Sequence, residues 1–271
     1  MRYDTAGPLT ALTSERLSFA IALPSDPVEL CRSAQGLVIQ PGPATAVGIA
    51  DERLIEKNIR RADDLLTIVL AHNAAPLDEP REPKQRVVGT CRHFSVLSCA
   101  LLRAHGIAAR SRCGFATYFK PGQNLDHWIT EYWHTADQRW VRVDSEILGL
   151  PFVSKPDDLA PGEFLTGGEA WELCRRGEAD PDRFGVDGAP HAWGIGEVRG
   201  NAIRDLGALN KIEMLPWDEW GRMDASYKGE TGPDFDDLMD TIATTTASGD
   251  SAAVVDLYAG EDLAVPEHLI V

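Results

Sequence analysis

Apolar and polar positions follow two different periods along this chain, and the change from one to the other divides it. Between residues 51 and 71, Ile55, Ile59, Ala62, Leu66 and Val69 step by four, three, four and three, one apolar stripe at helical spacing. Glu56, Lys57, Arg60, Arg61, Asp63 and Asp64 fill much of the remaining surface, which predicts a half-exposed, structural helix. From residue 91 to about 105 the polar face nearly vanishes. Phe94, Val96, Leu97, Ala100, Leu101, Leu102 and Ala104 leave only a narrow stripe for Arg92 and Arg103, and a helix of that kind runs through a core. Gly106 stops it. Strand-like runs follow at 107–119, 127–133 and 139–146, with turns at 120–124 and 135–138. A buried helix followed by successive antiparallel strands predicts an α+β layer with the helix packed on the sheet.

The flanks are less regular. Residues 1–50 read as an irregular lead-in punctuated by Pro8, Pro24, Pro27, Pro41 and Pro43, with a short helix around 27–34. Residues 73–83 form a Pro- and acid-rich loop, and 151–190 are rich in Pro, Gly and acidic residues, with a short helix near 169–176. A polar, glycine-rich and aromatic stretch at 191–201 leads into a helix over 202–209. Short terminal helices are expected at 234–246 and 252–258. The expected organisation is a 1–50 lead-in, a 51–150 core and a 151–271 extension packed on that core, together one compact domain.

Charge and cysteine usage narrow the function. Lys and Arg number 26 against 42 Asp and Glu, a net charge of −16. Sequence-independent nucleic-acid binding needs clustered cations, and anionic membranes attract them, so neither partner is expected. No apolar run approaches the length of a spanning helix, and the N-terminus lacks a basic region followed by an apolar core, so a cytoplasmic protein is expected. Cys31, Cys91, Cys99, Cys113 and Cys174 are odd in number and scattered, with no Cys-x-x-Cys. That pattern fits neither a disulfide framework nor a structural zinc site. Four of the five are expected to be small buried hydrophobes.

Cys91 is the exception. Gly89 allows a tight turn, Thr90 is a good helix N-cap, and Cys91 then falls in the first turn, where the positive end of the helix dipole favours thiolate. His93 is close in sequence, but residues two apart on a helix do not face each other. His127 and Asp144 are better placed. With a turn centred on Ala136-Asp137, Asp144 falls opposite Ile129 and is the diagonal neighbour of His127, about 7–8 Å away at the backbone. A slip of one residue would send the two to opposite faces.

Gly-x-Cys at a helix start, Leu-Leu-Arg-Ala-His-Gly-Ile-Ala-Ala-Arg downstream, then His-Trp and Trp-Val-Arg-Val-Asp together resemble the transglutaminase-like superfamily over residues 85–147. The resemblance implies a papain-like α+β core and a triad of Cys91, His127 and Asp144. It also implies a thioester acyl-enzyme formed from an amide- or ester-bearing small molecule or peptide. Water would resolve that intermediate in an amidase or peptidase, an amine in an acyl transferase. No metal or other cofactor is required, and the calcium of some animal transglutaminases finds no matching ligand loop. A backbone N–H near Cys91 would be the first oxyanion donor, with Gln85 a second by analogy with papain-type enzymes.

Outside the resemblance, Trp193, Arg199, Asn201 and Arg204 could wall a substrate pocket, with Arg199 or Arg204 reading a carboxylate. The competing reading makes Trp193, Trp217 and Trp220 core aromatics that anchor an irregular extension. The competing function is an interaction domain on a fold that has lost its chemistry. All three triad positions carry the expected residues, which favours catalysis.

Overall fold

The computed structural model describes residues 2–260 and 262–270. Contacts divide the chain into two units, one made of Arg2–Ser111 and Ile129–Leu159, the other of Arg112–Trp128 and Ala160–Val271. The fold is α+β, with helices and an antiparallel sheet.

The first unit opens with helices α1 (Ser14–Ile21) and α2 (Pro27–Leu37), strand β1 (Val38–Ile39) and helix α3 (Pro41–Ala46). The lead-in is therefore more helical than its prolines suggest. Pro27 and Pro41 stand at the first turns of α2 and α3, where a missing N–H costs nothing. Asp26 caps α2 by accepting from Val28 N–H at 2.9 Å and Glu29 N–H at 3.0 Å.

The helix expected over 51–71 is broken. Asp51–Asn58 is a 3-10 segment, Ile59 and Arg61 are extended, and helix α4 covers Ala62–His72. Glu56 is the reason. Its carboxylate turns inward to take Arg53 Nε at 2.7 Å and the N–H of Val88 at 2.8 Å, tying the segment to strand β2 (Val87–Val88). Ile55 is left 70% exposed, while half-buried Ile59 still packs on the core and the helical stripe resumes at Ala62.

Helix α5 (Cys91–Ala104) fits its reading: every residue from Cys91 to Arg103 is buried. Leu30 and Ala34 of α2, Leu65, Leu66 and Val69 of α4, and Val96, Leu97 and Leu101 of α5 share one core with Val141 and Val143. Gly106 ends the helix in the left-handed region at φ 71°. Strands β3 (Ala109–Lys120) and β4 (Gln123–His134) contribute their outer ends to this unit, together with β5 (Arg139–Val143). β4 and β5 are antiparallel, with Thr130 opposite Val143 and His134 opposite Arg139. That is the register counted from the sequence.

The second unit holds the remainder of β3 and β4. Strand β6 (Phe164–Thr166) runs antiparallel to β3, with Gly114 opposite Thr166. Helix α6 (Gly167–Arg175) follows, then strand β7 (Phe184–Gly185), parallel to β4. Helices α7 (Ile195–Leu209), α8 (Met223–Tyr227), α9 (Pro233–Ser248), α10 (Ser251–Tyr258) and the short α11 (Glu267–Ile270) follow, with α6 packed on α7 and α9. α7 begins seven residues earlier than the pattern over 202–209 suggests, because Gly194 at φ 82° supplies the turn into it. Gly167 is the close-approach residue: a Cβ there would lie 2.3 Å from Ala202 N.

Candidate active site

Cys91 is the first residue of α5 and 6% exposed. The turn before it is closed by His93, whose Nδ1 accepts the N–H of Thr90 at 2.9 Å, the third-position half of a capping box normally filled by Glu or Gln. The other nitrogen, Nε2, lies 3.0 Å from the carbonyl of Ile59 and donates to it. A ring that accepts at one nitrogen and donates at the other is neutral. Burial, with the Arg92 charge beside it, pushes its pKa down to about 3. Gly89 makes room for this ring, since a Cβ there would stand 2.7 Å from it.

Below the cap, α5 is fixed by hydroxyl groups. Ser95 Oγ donates to the carbonyl of Ile129 at 2.7 Å and lies 2.9 Å from Ser111 Oγ. Ser98 Oγ bonds Ser145 Oγ at 3.0 Å. The helix that carries Cys91 is thus bonded at the second residue after His127 and at the residue after Asp144. The helical-wheel reading passed over these serines. The available signal was a stripe of small polar residues, Cys91, Ser95 and Ser98, stepping by four and three through an otherwise apolar helix.

Asp144 follows β5 in the same unit and is fully buried. Its N–H donates to Pro156 O at 2.8 Å, and its Oδ1 accepts the N–H of Glu146 at 3.0 Å. Gln85 ends a 3-10 turn, and its side-chain Oε1 accepts from Asn73 Nδ2 at 3.0 Å.

His127 belongs to the second unit and is 3% exposed. Two half-buried rings of β3 flank it edge-on, Phe119 at 5.0 Å and Tyr118 at 6.4 Å between centroids. The residue before it, Asp126, accepts from Asn201 Nδ2 at 2.8 Å. Asn201 is the hub of a buried polar group on α7. It also donates to Gly114 O at 3.1 Å, and its Oδ1 accepts from Arg204 Nη1 at 3.0 Å and the Cys113 thiol at 3.3 Å. Arg204 continues to Glu197 Oε1 at 3.3 Å and Tyr227 OH at 3.2 Å, and Tyr227 donates to Glu197 Oε2 at 2.7 Å.

Burial raises the Glu197 carboxyl to about 7 against the opposing pull of Arg204, and the charge of Asp126 adds to the rise. Burial also raises Asp126, opposed by Arg204 and Asn201.

Of the expected pocket wall, Asn201 and Arg204 come together, but inside the protein, with their donors already engaged. Arg199 turns elsewhere, pairing with Asp236 and lying over the ring of Trp171. The Trp193 ring rests on Gly185, where a Cβ would be 2.2 Å away, and its Nε1 donates to Val186 O at 2.8 Å. Trp220 is a core residue, as the competing reading had it, whereas Trp217 is 45% exposed.

Among the described residues no cluster of His, Cys, Asp or Glu could hold a metal ion, and no helix is long and apolar enough to cross a membrane.

Residues 68–145 match the sequence model of the transglutaminase-like superfamily, a stretch that includes Cys91, His127 and Asp144. Neither the curated proteins nor the solved structures yielded a match.

Proposed function

Taking as premise that residues 68–145 are a transglutaminase-like superfamily domain, a class that generally implies a cysteine enzyme, we propose that this chain is a thiol acyl-transfer enzyme with Cys91 as nucleophile, His127 as base and Asp144 as the orienting carboxylate. The observation that carries this reading is how Cys91 is mounted. It opens a rigid, buried helix whose next two turns are bonded at Ile129 and Ser145, the near neighbours of His127 and Asp144. A nucleophile on a fixed element keeps its geometry through the reaction. The β4–β5 register supports the same roles: continued by one pair it sets Asp144 opposite Ile129, with His127 two residues earlier on β4.

The chemistry follows from these groups. His127 takes the thiol proton, and Asp144 fixes the ring and stabilises its charge. The thiolate attacks an amide or ester carbonyl carbon, and the negative oxygen is met by backbone N–H at the start of α5, at the positive end of the helix dipole. Gln85 is the proposed second donor. As the C–N or C–O bond breaks, His127 gives its proton to the departing amine or alcohol and a thioester remains. Water or an amine then attacks that thioester, His127 accepts its proton, and the Cys91 thiolate leaves.

Brief treatment with limiting iodoacetamide at neutral pH, read by intact mass and peptide mapping, tests the reading on wild type and His127→Ala. Preferential labelling of Cys91, slowed in the variant, is the expected result and would justify assaying amides with and without added amines. Labelling without preference and unchanged by the variant would instead leave an interaction domain.

A further inference from the structure

The hydrogen bonding around Asn201 has a direction: it ends at the residue beside the proposed base. Consecutive residues of a strand point to opposite faces. Asp126 accordingly bonds Asn201 on α7, while His127 stands with Phe119 and Tyr118. Asn201 spends both amide protons on this hairpin, one on Gly114 O of β3 and one on Asp126 Oδ1 of β4. Its own oxygen is held by Arg204 and Cys113. Every hydrogen-bonding group of the amide is therefore used, so the side chain has one orientation and cannot swing away without stranding buried partners.

Arg204 is itself buried, 1% exposed and bonded to Glu197 and Tyr227. Space is cleared for that arrangement. A Cβ on Gly200 would meet Tyr227 OH at 2.7 Å, and one on Gly196 would lie 3.0 Å from the same ring.

We propose that Asp126 is a positioning residue for His127: clamped by Asn201 on α7, it fixes the backbone of β4 at the catalytic histidine and so sets the direction of the imidazole. This rests on the assignment of His127 as the base. It reassigns Asn201 and Arg204 from reading substrate to holding the strand that carries the base. Asp126 acts through the backbone and has no contact with substrate in this scheme.

The test uses the full-length protein with Asp126→Ala, Asn201→Ala and Asp126→Asn. An asparagine at 126 still offers a carbonyl oxygen to Asn201 Nδ2, so it preserves the clamp while removing the charge. Two readouts are taken: the rate of Cys91 alkylation by iodoacetamide, and the Cε1–Hε1 NMR signal of His127.

The two alanine variants should slow Cys91 alkylation by about tenfold or more, in line with the large cost of small misplacements. They should also shift or broaden the His127 signal. Asp126→Asn should stay within about threefold of wild type, with the signal restored. Cys113, bonded to Asn201, reports on plain loosening of the fold. It should remain unlabelled in all three variants.

A wild-type rate with an unmoved His127 signal in Asp126→Ala would overturn the proposal. So would an Asp126→Asn variant as slow as Asp126→Ala, or labelling of Cys113 ahead of Cys91. If wild-type Cys91 shows no selective labelling, the enzyme reading fails by itself, and the His127 signal alone decides whether Asp126 positions that ring.

Discussion

The imidazole of His93 accepts the Thr90 N–H at 2.9 Å and donates to the Ile59 carbonyl at 3.0 Å, so both of its nitrogens are spent on the turn that presents Cys91. The histidine nearest in sequence to Cys91, the proposed nucleophile, is thereby unavailable as its base. What it does is hold the first turn of α5 in place and require a glycine at position 89 for its ring.

The role of His93 has a pH signature. Its folded pKa, about 3, lies below the ordinary value of 6.5, so the unfolded chain takes up the proton first. Its contribution is complete above about pH 6.5 and is lost as pH falls through the window down to about 3, at up to about 1.4 kcal/mol per pH unit. Urea unfolding between pH 7 and 4.5 should show a steep loss of stability in wild type. His93→Gln, which keeps a capping-box acceptor without the titrating ring, should give a flatter profile. Parallel profiles for the two proteins would show that His93 does not titrate on unfolding.

Ser95 and Ser98 are the second check on how Cys91 is mounted. Ser95→Ala leaves the Ile129 carbonyl without its 2.7 Å donor, and Ser98→Ala removes the bond to Ser145. Each should cost about 1–3 kcal/mol in unfolding free energy, the range for a buried polar group losing its partner. Each should also slow alkylation of Cys91, while a small residue at either position still fits. Loss of stability without a change in alkylation rate would separate the hydroxyl groups from the proposed chemistry.

The remaining cysteines give a third. Burial pushes Cys31 to about 12 and Cys174 to about 11, and raises Cys113 well above its ordinary value, with the charge of Asp126 contributing there. At neutral pH Cys174 is thiolate in only about one molecule in ten thousand. A Cys91→Ala protein should therefore be nearly inert to iodoacetamide at pH 7 and begin to label, at half-buried Cys174 first, only as the pH approaches 10. Rapid labelling of that variant at pH 7 would mean that selectivity at Cys91 had been overstated.

Periodicity made the middle of the chain legible. The bounds of α5, the hairpin turn and the Ile129–Asp144 register follow from repeats of 3.6 and 2 that local sequence enforces. The 51–71 segment departs from its helical pattern because its break is tertiary. Glu56 finds its partners at Arg53 and at Val88 on another element, and no local pattern announces that. The Asn201 network was hidden for the same reason: Asp126, Gly114 and Asn201 are brought together by packing across 87 residues of chain. Polar residues at 201 and 204 read as a pocket wall by composition, whereas burial decides that their donors face inward.

That buried group yields the last prediction. Asp126 and Glu197 share Arg204 within one unit, and Glu197 is raised to about 7, by burial first and then by the charge of Asp126, from an ordinary value of 4.5. The sign is the reverse of the His93 case. A carboxyl whose folded pKa is raised contributes stability that is fully present below about pH 4.5 and lost as pH rises through about 7. Glu197→Gln keeps the uncharged shape at every pH, with an amide oxygen that can accept from Tyr227. Its stability relative to wild type should therefore rise between pH 5 and 8, by as much as about 3 kcal/mol if no other group compensates. Urea unfolding of both proteins at the two pH values measures this directly. If Glu197→Gln instead loses ground as the pH rises, Glu197 is ionised in the folded protein and its pairing with Arg204 outweighs the cost of burial.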